Sequence, residues 1–122
     1  MPGRRGRYRL TVRNGSEVSR ERPADLEQTL ERMHEAVDEI RSSGGLDRVK
    51  MLRTFEPGDR VAGRVEISSG GLFRGADAGI DVMGDGRLIA YSGGVGRREL
   101  SSEQGASALE LVREQLERLE RD

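Results

Sequence analysis

The sequence has no cysteine, no tryptophan and a single histidine in 122 residues. Without cysteine the chain cannot form a disulfide bond, a thiolate zinc site or a cysteine nucleophile. The histidine, His34, lacks the partners that a metal site or a Ser–His–acid set requires. We therefore expect no metal, no cofactor and no catalytic site, and we interpret His34 as a structural residue on a helix.

Aromatic residues and long apolar runs are also scarce. The aromatic residues are two tyrosines and two phenylalanines, which is few for a surface that stacks on single-stranded nucleic acid. No apolar run approaches the roughly 18 residues of a membrane helix. No apolar segment of a signal peptide follows the first residues. These absences favour a cytoplasmic protein with no membrane partner.

Charged residues, by contrast, make up 35% of the chain, and apolar residues only 34%. Such a composition predicts a thin core, which favours a partner or a second copy that completes it. The first 13 residues hold five arginines and no acid, whereas residues 24–42 and 101–122 each hold six acids. Arginine accounts for all but one of the 21 basic residues. Its planar guanidinium favours bidentate contacts with anions, although a GC-rich genome produces the same bias.

Two amphipathic helices are predicted from apolar residues at helical spacing. The first opens at Pro23-Ala24-Asp25 and ends at Gly44-Gly45, and its apolar stripe consists of Leu26, Leu30, Met33, Val37 and Ile40. The second spans about Ser102 to Arg121, behind a capping box formed by Ser101 and Gln104. Its stripe consists of Leu109, Val112, Leu116 and Leu119.

Three hairpins are predicted from alternating apolar residues around turn sequences. Their turns lie at Asn14-Gly15, which is the preferred pair of a type I′ turn, at Pro57-Gly58-Asp59 and at Asp85-Gly86. In the second hairpin the residues predicted to face inward are Val49, Met51, Phe55, Val61, Gly63, Val65 and Ile67. In the third, a two-residue turn pairs Val82 with Ile89 and Ile80 with Tyr91, all on the inner face.

The order of elements is therefore ββαββββα. It predicts an α+β fold in which an antiparallel sheet of about six strands, built from three hairpins, carries both amphipathic helices on one face. Lys50, Arg64 and Glu66 are expected to face outward on the solvated side. We expect a flexible basic arm over residues 1–7 and a single α+β domain over residues 8–122.

One hexapeptide, Ser-Gly-Gly-Leu/Val-x-Arg, occurs three times, at 43–48, 69–74 and 92–97. In the predicted sheet all three copies lie at the same end. Consecutive glycines can turn backbone N–H groups toward an anion, and arginines add charge-assisted hydrogen bonds. The candidate anion site comprises Gly44, Gly45, Arg48, Gly70, Gly71, Arg74, Gly93, Gly94, Arg97 and Arg98. The alternative is that these glycines serve only as turns.

The arginines near the N-terminus form a second candidate site. An arm that binds nucleic acid would use Arg4, Arg5, Arg7, Arg9 and Arg13. Both helices are acidic, however, and would repel a phosphate backbone. The alternative interpretation is a solubilising arm or a contact between subunits.

The apolar stripe of the last helix has two interpretations as well. It covers the sheet, or it pairs with another helix in a homo-oligomer, with Leu109, Val112, Leu116 and Leu119 as the interface. Since no catalytic set is present, our first hypothesis is a small soluble, non-enzymatic interaction or assembly module that self-associates through this helix or binds another protein. The alternative is an anion- or nucleic-acid-binding protein that uses the arginine arm and the three loops. An enzyme that acts on a phosphorylated small molecule comes third.

Overall fold

The computed structural model describes residues 7–42, 60–69, 76–93, 97–101 and 107–121 of the chain. These residues form one antiparallel sheet and two helices. In chain order the elements are β1 (Arg9–Asn14), β2 (Glu17–Glu21), α1 (Leu26–Ser42), β3 (Val61–Ser68), β4 (Ala78–Met83), β5 (Leu88–Ser92), β6 (Arg98–Glu99) and α2 (Ala108–Arg121). The predicted α+β class and the antiparallel sheet are confirmed.

The described elements follow the order ββαββββα, but the strands are in part different from those predicted. The strand expected around Val49, Met51 and Phe55 lies outside the described residues. The sixth described strand is β6, which the sequence analysis does not predict. Across the sheet the strands lie in the order β2-β1-β3-β4-β5-β6, and each is antiparallel to its neighbours.

Both helices pack on one face of the sheet, which we call the inner face; the opposite face is the open face. The inner face consists of apolar side chains that are at most 8% exposed, namely Leu10, Val12, Val65, Ile67, Ile80 and Val82. These residues align across strands, because Val65 lies opposite both Val12 and Ile80. Each such burial stabilises the fold by about 1.5–3 kcal/mol relative to an exposed side chain.

Helix α1 begins after Asp25, whose carboxylate Oδ1 accepts the Gln28 backbone N–H at 2.8 Å. This contact satisfies one of the free donors of the first turn. The predicted stripe is buried at Leu30, Met33, Val37 and Ile40. Ile40 lies over Gly63 of β3, where an added Cβ would come within 2.7 Å of the Ile40 Cγ2. The glycine therefore lets the helix approach the sheet closely.

Helix α2 begins later than predicted, at Ala108. The Ser107 hydroxyl accepts the Glu110 backbone N–H at 3.2 Å and donates to the Glu110 carboxylate at 3.2 Å. Ser107 and Glu110 have the spacing of a capping box, as Ser101 and Gln104 do, so the sequence offers two possible caps. The one nearer the apolar stripe is used, and Val112 and Leu116 are then buried against the sheet.

The turn between β4 and β5 has three residues rather than the predicted two. The Met83 N–H donates to the Arg87 carbonyl at 2.8 Å, and the Gly86 N–H donates to the Met83 carbonyl at 2.9 Å. Gly86 has a φ of +89°, as the left-handed last residue of a three-residue hairpin loop requires. Asp85 serves the turn, as expected, by accepting the Arg87 N–H at 2.9 Å.

This extra loop residue shifts the register by one and corrects the predicted pairing. Ile80 lies opposite Ala90 rather than opposite Tyr91. Because side chains alternate between the faces of a strand, Ile89 and Tyr91 lie on the open face and not in the helix-covered core.

Two smaller corrections concern β1 and β3. The first hairpin turns at Gly15-Ser16, because Asn14 pairs with Glu17. Of the two loop residues only Gly15 has a positive φ, of 63°, which is the arrangement of a type II′ turn rather than type I′. In β3 a register shift follows Val61, so Val61 is 44% exposed instead of facing inward.

Candidate functional site

The open face of the sheet carries charged side chains on neighbouring strands. They are Arg20 of β2, Arg9 and Arg13 of β1, Arg64 and Glu66 of β3, and Asp81 of β4. The register aligns them, since Arg64 lies between Arg13 and Asp81. The outward orientation predicted for Arg64 and Glu66 is confirmed, because both alternate with the buried residues of β3.

These charged residues form two groups, and Asp81 lies at the centre of the first. Its side chain is 8% exposed, and it accepts a hydrogen bond from Arg64 Nε at 2.6 Å. Arg97, which precedes β6, donates to the other carboxylate oxygen. The hydrogen bond to Asp81 raises the pKa of Arg64 above its ordinary value. Two guanidinium groups therefore compensate one buried carboxylate, which would be costly without them.

Tyr91 completes this group. Its hydroxyl donates to Glu66 Oε2 at 2.5 Å, and the Arg97 guanidinium carbon lies 3.6 Å from the ring centroid. The ring lies across Gly79, where an added Cβ would come within 2.5 Å of it. Burial raises the pKa of Tyr91, and the hydrogen bond to Glu66 raises it further. We call Arg64, Glu66, Asp81, Tyr91 and Arg97 the tyrosine cluster.

The second group consists of Arg9, Arg13 and Arg20, which we call the arginine patch. Arg13 and Arg20 are exposed and Arg9 is half-buried. The Nε of Arg9 is buried and has no hydrogen-bond partner within the described part of the chain. No side-chain hydrogen bond or ion pair joins Arg13 or Arg20 to another described residue. The patch thus presents donors that the described residues do not satisfy.

The geometry of the patch follows from the β1–β2 register. Arg20 lies opposite Thr11, so it is a diagonal neighbour of both Arg9 and Arg13, at a Cα separation of roughly 7–8 Å. Arg13 also lies opposite Arg64, but the charge of Arg64 is taken up by Asp81. Like charges at such distances repel. An anion that bridges the arginines would relieve this repulsion and receive bidentate hydrogen bonds.

The outer surface of the two helices has the opposite charge. The exposed acids on it, which we call the acidic layer, are Glu27, Glu31, Glu35, Asp38, Glu39, Glu110, Glu114 and Glu120. The helices are joined across this surface by Arg113, whose two terminal nitrogens donate to the Glu27 carboxylate at 2.7 and 2.8 Å. That hydrogen bond lowers the pKa of Glu27.

A groove of about 310 Å³ lies beside this ion pair, between α1 and α2. His34 lines it and is 3.5 Å from Asp38, with both side chains 62% exposed. No second histidine exists in the chain. Across the ranges that the structure describes, no three histidine, aspartate or glutamate side chains are placed to hold a metal ion.

Arg7 belongs to the helical side of the molecule and not to the arginine patch. Its terminal nitrogen is 3.7 Å from the Glu120 carboxylate of α2. The neighbouring Tyr8 hydroxyl donates to the same carboxylate. Burial raises the pKa of Tyr8, and Glu120 raises it further. Of the predicted nucleic-acid arm, Arg4 and Arg5 lie outside the described residues, while Arg9 and Arg13 are fixed in β1.

The predicted anion site at the three Gly-Gly loops is only partly within the described residues. Ser69 and Gly93, from the second and third copies, meet at Asp77. The Ser69 N–H donates to the Asp77 carboxylate at 2.8 Å, and the Gly93 N–H donates to the Asp77 carbonyl at 3.2 Å. An added Cβ at Gly93 would lie 1.8 Å from the Ala76 carbonyl oxygen. These contacts give Gly93 a structural role. The N–H groups of Ser69 and Gly93 are used within the chain and are not available to an anion.

The remaining members of that site are dispersed or undescribed. Arg97 is bound to Asp81, and Arg98 is exposed on β6. The other members, Gly44, Gly45, Arg48, Gly70, Gly71, Arg74 and Gly94, lie outside the described residues. A site formed by all three loops stays a prediction.

The central residues of the predicted oligomer interface are buried in the core of the same chain. Val112 is fully buried and Leu116 is 1% exposed, both in the core beneath α2. Leu109 and Leu119 are half-buried. The structure therefore places the centre of the stripe on the sheet, which was the first of the two interpretations of this helix.

Comparison of the chain with protein-family models, with curated proteins and with solved structures finds no match. Among the residues described, no helix is long and apolar enough to cross a membrane. The inference of function therefore depends on the geometry of the open face.

Sequence reasoning missed Arg20 as a member of the candidate site. Arg20 could have been found from the alternation of side chains between the two faces of β2. Once Val18 is assigned to the return strand, Arg20 and Arg13 must share a face of the first hairpin. The tyrosine cluster had no such signal, because it depends on the loop length between β4 and β5.

Proposed function

We propose that this protein is a non-enzymatic binding module that holds an anionic partner on the arginine patch of its open face. The observation that carries the proposal is the contrast between two neighbouring groups of arginines. Arg64 and Arg97 are bound to Asp81, whereas Arg9, Arg13 and Arg20 have no acidic partner among the described residues.

The exposure of Arg13 and Arg20 supports the proposal further, because an anionic partner can reach both guanidinium groups. The open face also supplies a rigid support, because β1 is hydrogen-bonded on both sides, to β2 and to β3. Arginines on adjacent strands of a sheet are therefore pre-organised for an extended anionic surface.

Self-association through α2, the first hypothesis from the sequence, is less well supported by this geometry. Separating Val112 and Leu116 from the sheet would uncover the core of each copy, at a cost of several kcal/mol. Only the half-buried Leu109 and Leu119 would be available without such a change. We therefore propose the arginine patch, rather than the apolar stripe of α2, as the interaction surface.

The test measures binding of the whole chain to fluorescein-labelled heparin at low salt. Replacing Arg9 and Arg13 by glutamine should weaken binding by about tenfold, since the two arginine contacts together are worth on the order of 1.4 kcal/mol. The matched control replaces Arg41 and Arg118 by glutamine, because these arginines are exposed but lie on the helices and outside the patch. Equal losses in both variants, or no binding by the wild type, would overturn the proposal.

Salt dependence provides a second readout of the same contact. Binding that is led by exposed charges weakens as ionic strength rises, because the Debye length falls to about 8 Å at physiological salt. The glutamine variant of the patch should show a shallower dependence than the control variant, since it releases fewer counterions.

A further inference from the structure

The acidic layer and the arginine patch lie on opposite sides of the molecule. Helices α1 and α2 cover the inner face, and the patch projects from the open face of β1 and β2. One copy therefore cannot bring its own patch to its own acidic layer. The two surfaces can meet only between copies.

The acidic layer keeps an excess of negative charge after its internal ion pairs are counted. Two of the arginines on these helices are already bound to acids of the same chain. Arg32 is 2.7 Å from Glu21 and from Glu35, and Arg113 is bound to Glu27. Among the acids that the structure describes, none is paired with the arginine patch in return. The two surfaces are thus complementary in charge, and the net charge of −1 does not keep copies apart.

We infer that the partner of the arginine patch is the acidic layer of a second copy, so that the chains associate head to tail. This inference rests on the proposed function and names the partner of the same site. Patch and layer are different surfaces, so the contact is heterologous and leaves one of each free at the ends of every pair. The association therefore continues beyond a dimer. It is also sensitive to salt, because the charges on both surfaces are exposed.

The first measurement is the light-scattering mass of the wild-type chain from micromolar to millimolar concentration, at low and at high salt. We expect the mean mass to rise continuously with concentration at low salt, past twice the mass of one chain, and to fall to that of one chain at high salt. A closed dimer that does not grow, or a series that high salt leaves unchanged, would overturn the inference.

Two complementary variants identify the surfaces. The patch variant carries Arg9→Gln, Arg13→Gln and Arg20→Gln, and keeps the acidic layer. The layer variant carries Glu31→Gln, Asp38→Asn and Glu114→Gln, and keeps the patch. Each variant alone should be monomeric at low salt. Their equimolar mixture should form a complex of two chains and grow no further, because it has one working patch and one working layer.

The outcomes separate this inference from the proposed function. If the wild type is monomeric at all concentrations but loses heparin binding on replacement of Arg9 and Arg13, the patch binds an anionic partner other than a second copy. If the wild type associates but the mixed variants do not, the contact lies elsewhere, with α2 as the first surface to mutate. Should a triple variant not fold by circular dichroism, Arg13→Gln and Glu114→Gln are mixed instead, and each alone should reduce the mean mass at a fixed concentration.

Discussion

Asp81 shows how the surroundings of one residue determine what its neighbours can do. Two arginines converge on this carboxylate. A third, Arg13, lies opposite Arg64 on the neighbouring strand and is paired with no acid in the described ranges. The difference between a structural and an available arginine thus depends on a single aspartate on β4. An aspartate one position earlier or later in β4 would lie on the inner face. Arg64 and Arg97 would then lack this carboxylate, as Arg13 does.

The first prediction at this scale concerns the stability that Asp81 supplies. Asp81→Asn keeps the size of the side chain but removes its charge, so Arg64 and Arg97 lose a charged acceptor. We expect the free energy of unfolding to fall by about 1.5–3 kcal/mol, the range for hydrogen bonds to charged groups. Urea unfolding monitored by circular dichroism measures this change in the free energy of unfolding.

The matched control is Asp85→Asn, the same substitution in the exposed turn. Asparagine can also accept the Arg87 N–H there, so little change is expected. Similar losses in the two variants would show that the buried ion pairs around Asp81 add no stability of their own.

At the scale of elements, the helices can be predicted directly from the sequence. Their apolar stripes are long enough to show the 3.6-residue spacing of a helix. The stripe of α1 extends over about four turns, and four of its five predicted residues are buried, namely Leu30, Met33, Val37 and Ile40. Hairpin registers depend instead on one or two loop residues. Gly84, Asp85 and Gly86 allow either a two-residue or a three-residue turn, and the choice determines whether Tyr91 lies in the core or on the open face. The candidate site was therefore less predictable than the fold.

Helix α2 gives the second prediction, because the sequence contains two possible caps. Ser107→Ala removes the acceptor of the Glu110 N–H and should cost about 1 kcal/mol of stability. Ser101→Ala should leave stability unchanged, since the helix begins at Ala108. Thermal unfolding of both variants measures the difference. A larger loss for Ser101→Ala would instead indicate that the helix begins near residue 102.

At the scale of the whole molecule, ion pairs join elements that are distant in sequence. Arg32 of α1 donates to Glu21 of β2 at 2.8 and 2.7 Å, and Arg113 of α2 binds Glu27 of α1. The first pair ties the β2 edge of the sheet to a helix, and the second ties the two helices together. Such connections add little individually because they are partly exposed, but they fix how the layers lie on one another.

The third prediction is a pH dependence at the Glu21–Arg32 connection. Hydrogen bonds from Arg32 lower the pKa of Glu21 in the folded state, so the folded pKa lies below the unfolded one. The stabilisation is therefore present above the unfolded pKa and is lost as the pH falls through the folded pKa. Glu21→Gln should lower the thermal midpoint at neutral pH, by the equivalent of a few tenths to about 1 kcal/mol.

In strong acid the same variant and the wild type should unfold at the same temperature, because Glu21 is then protonated in both states. Glu17→Gln, in the same strand, is the control and should have no effect at either pH. A difference between Glu21→Gln and the wild type that persists in acid would show that the side chain acts through packing rather than through its charge.

The two outer strands of the described sheet determine how the molecule can meet other copies. β6 has only two residues, and the exposed β2 carries Glu17, Arg20 and Glu21. Short edges and edges that bear charges resist the addition of another strand. Copies that gather at high concentration are therefore steered away from continuous cross-β growth. Any filament that they form should bind no amyloid dye and should dissolve into folded chains on dilution.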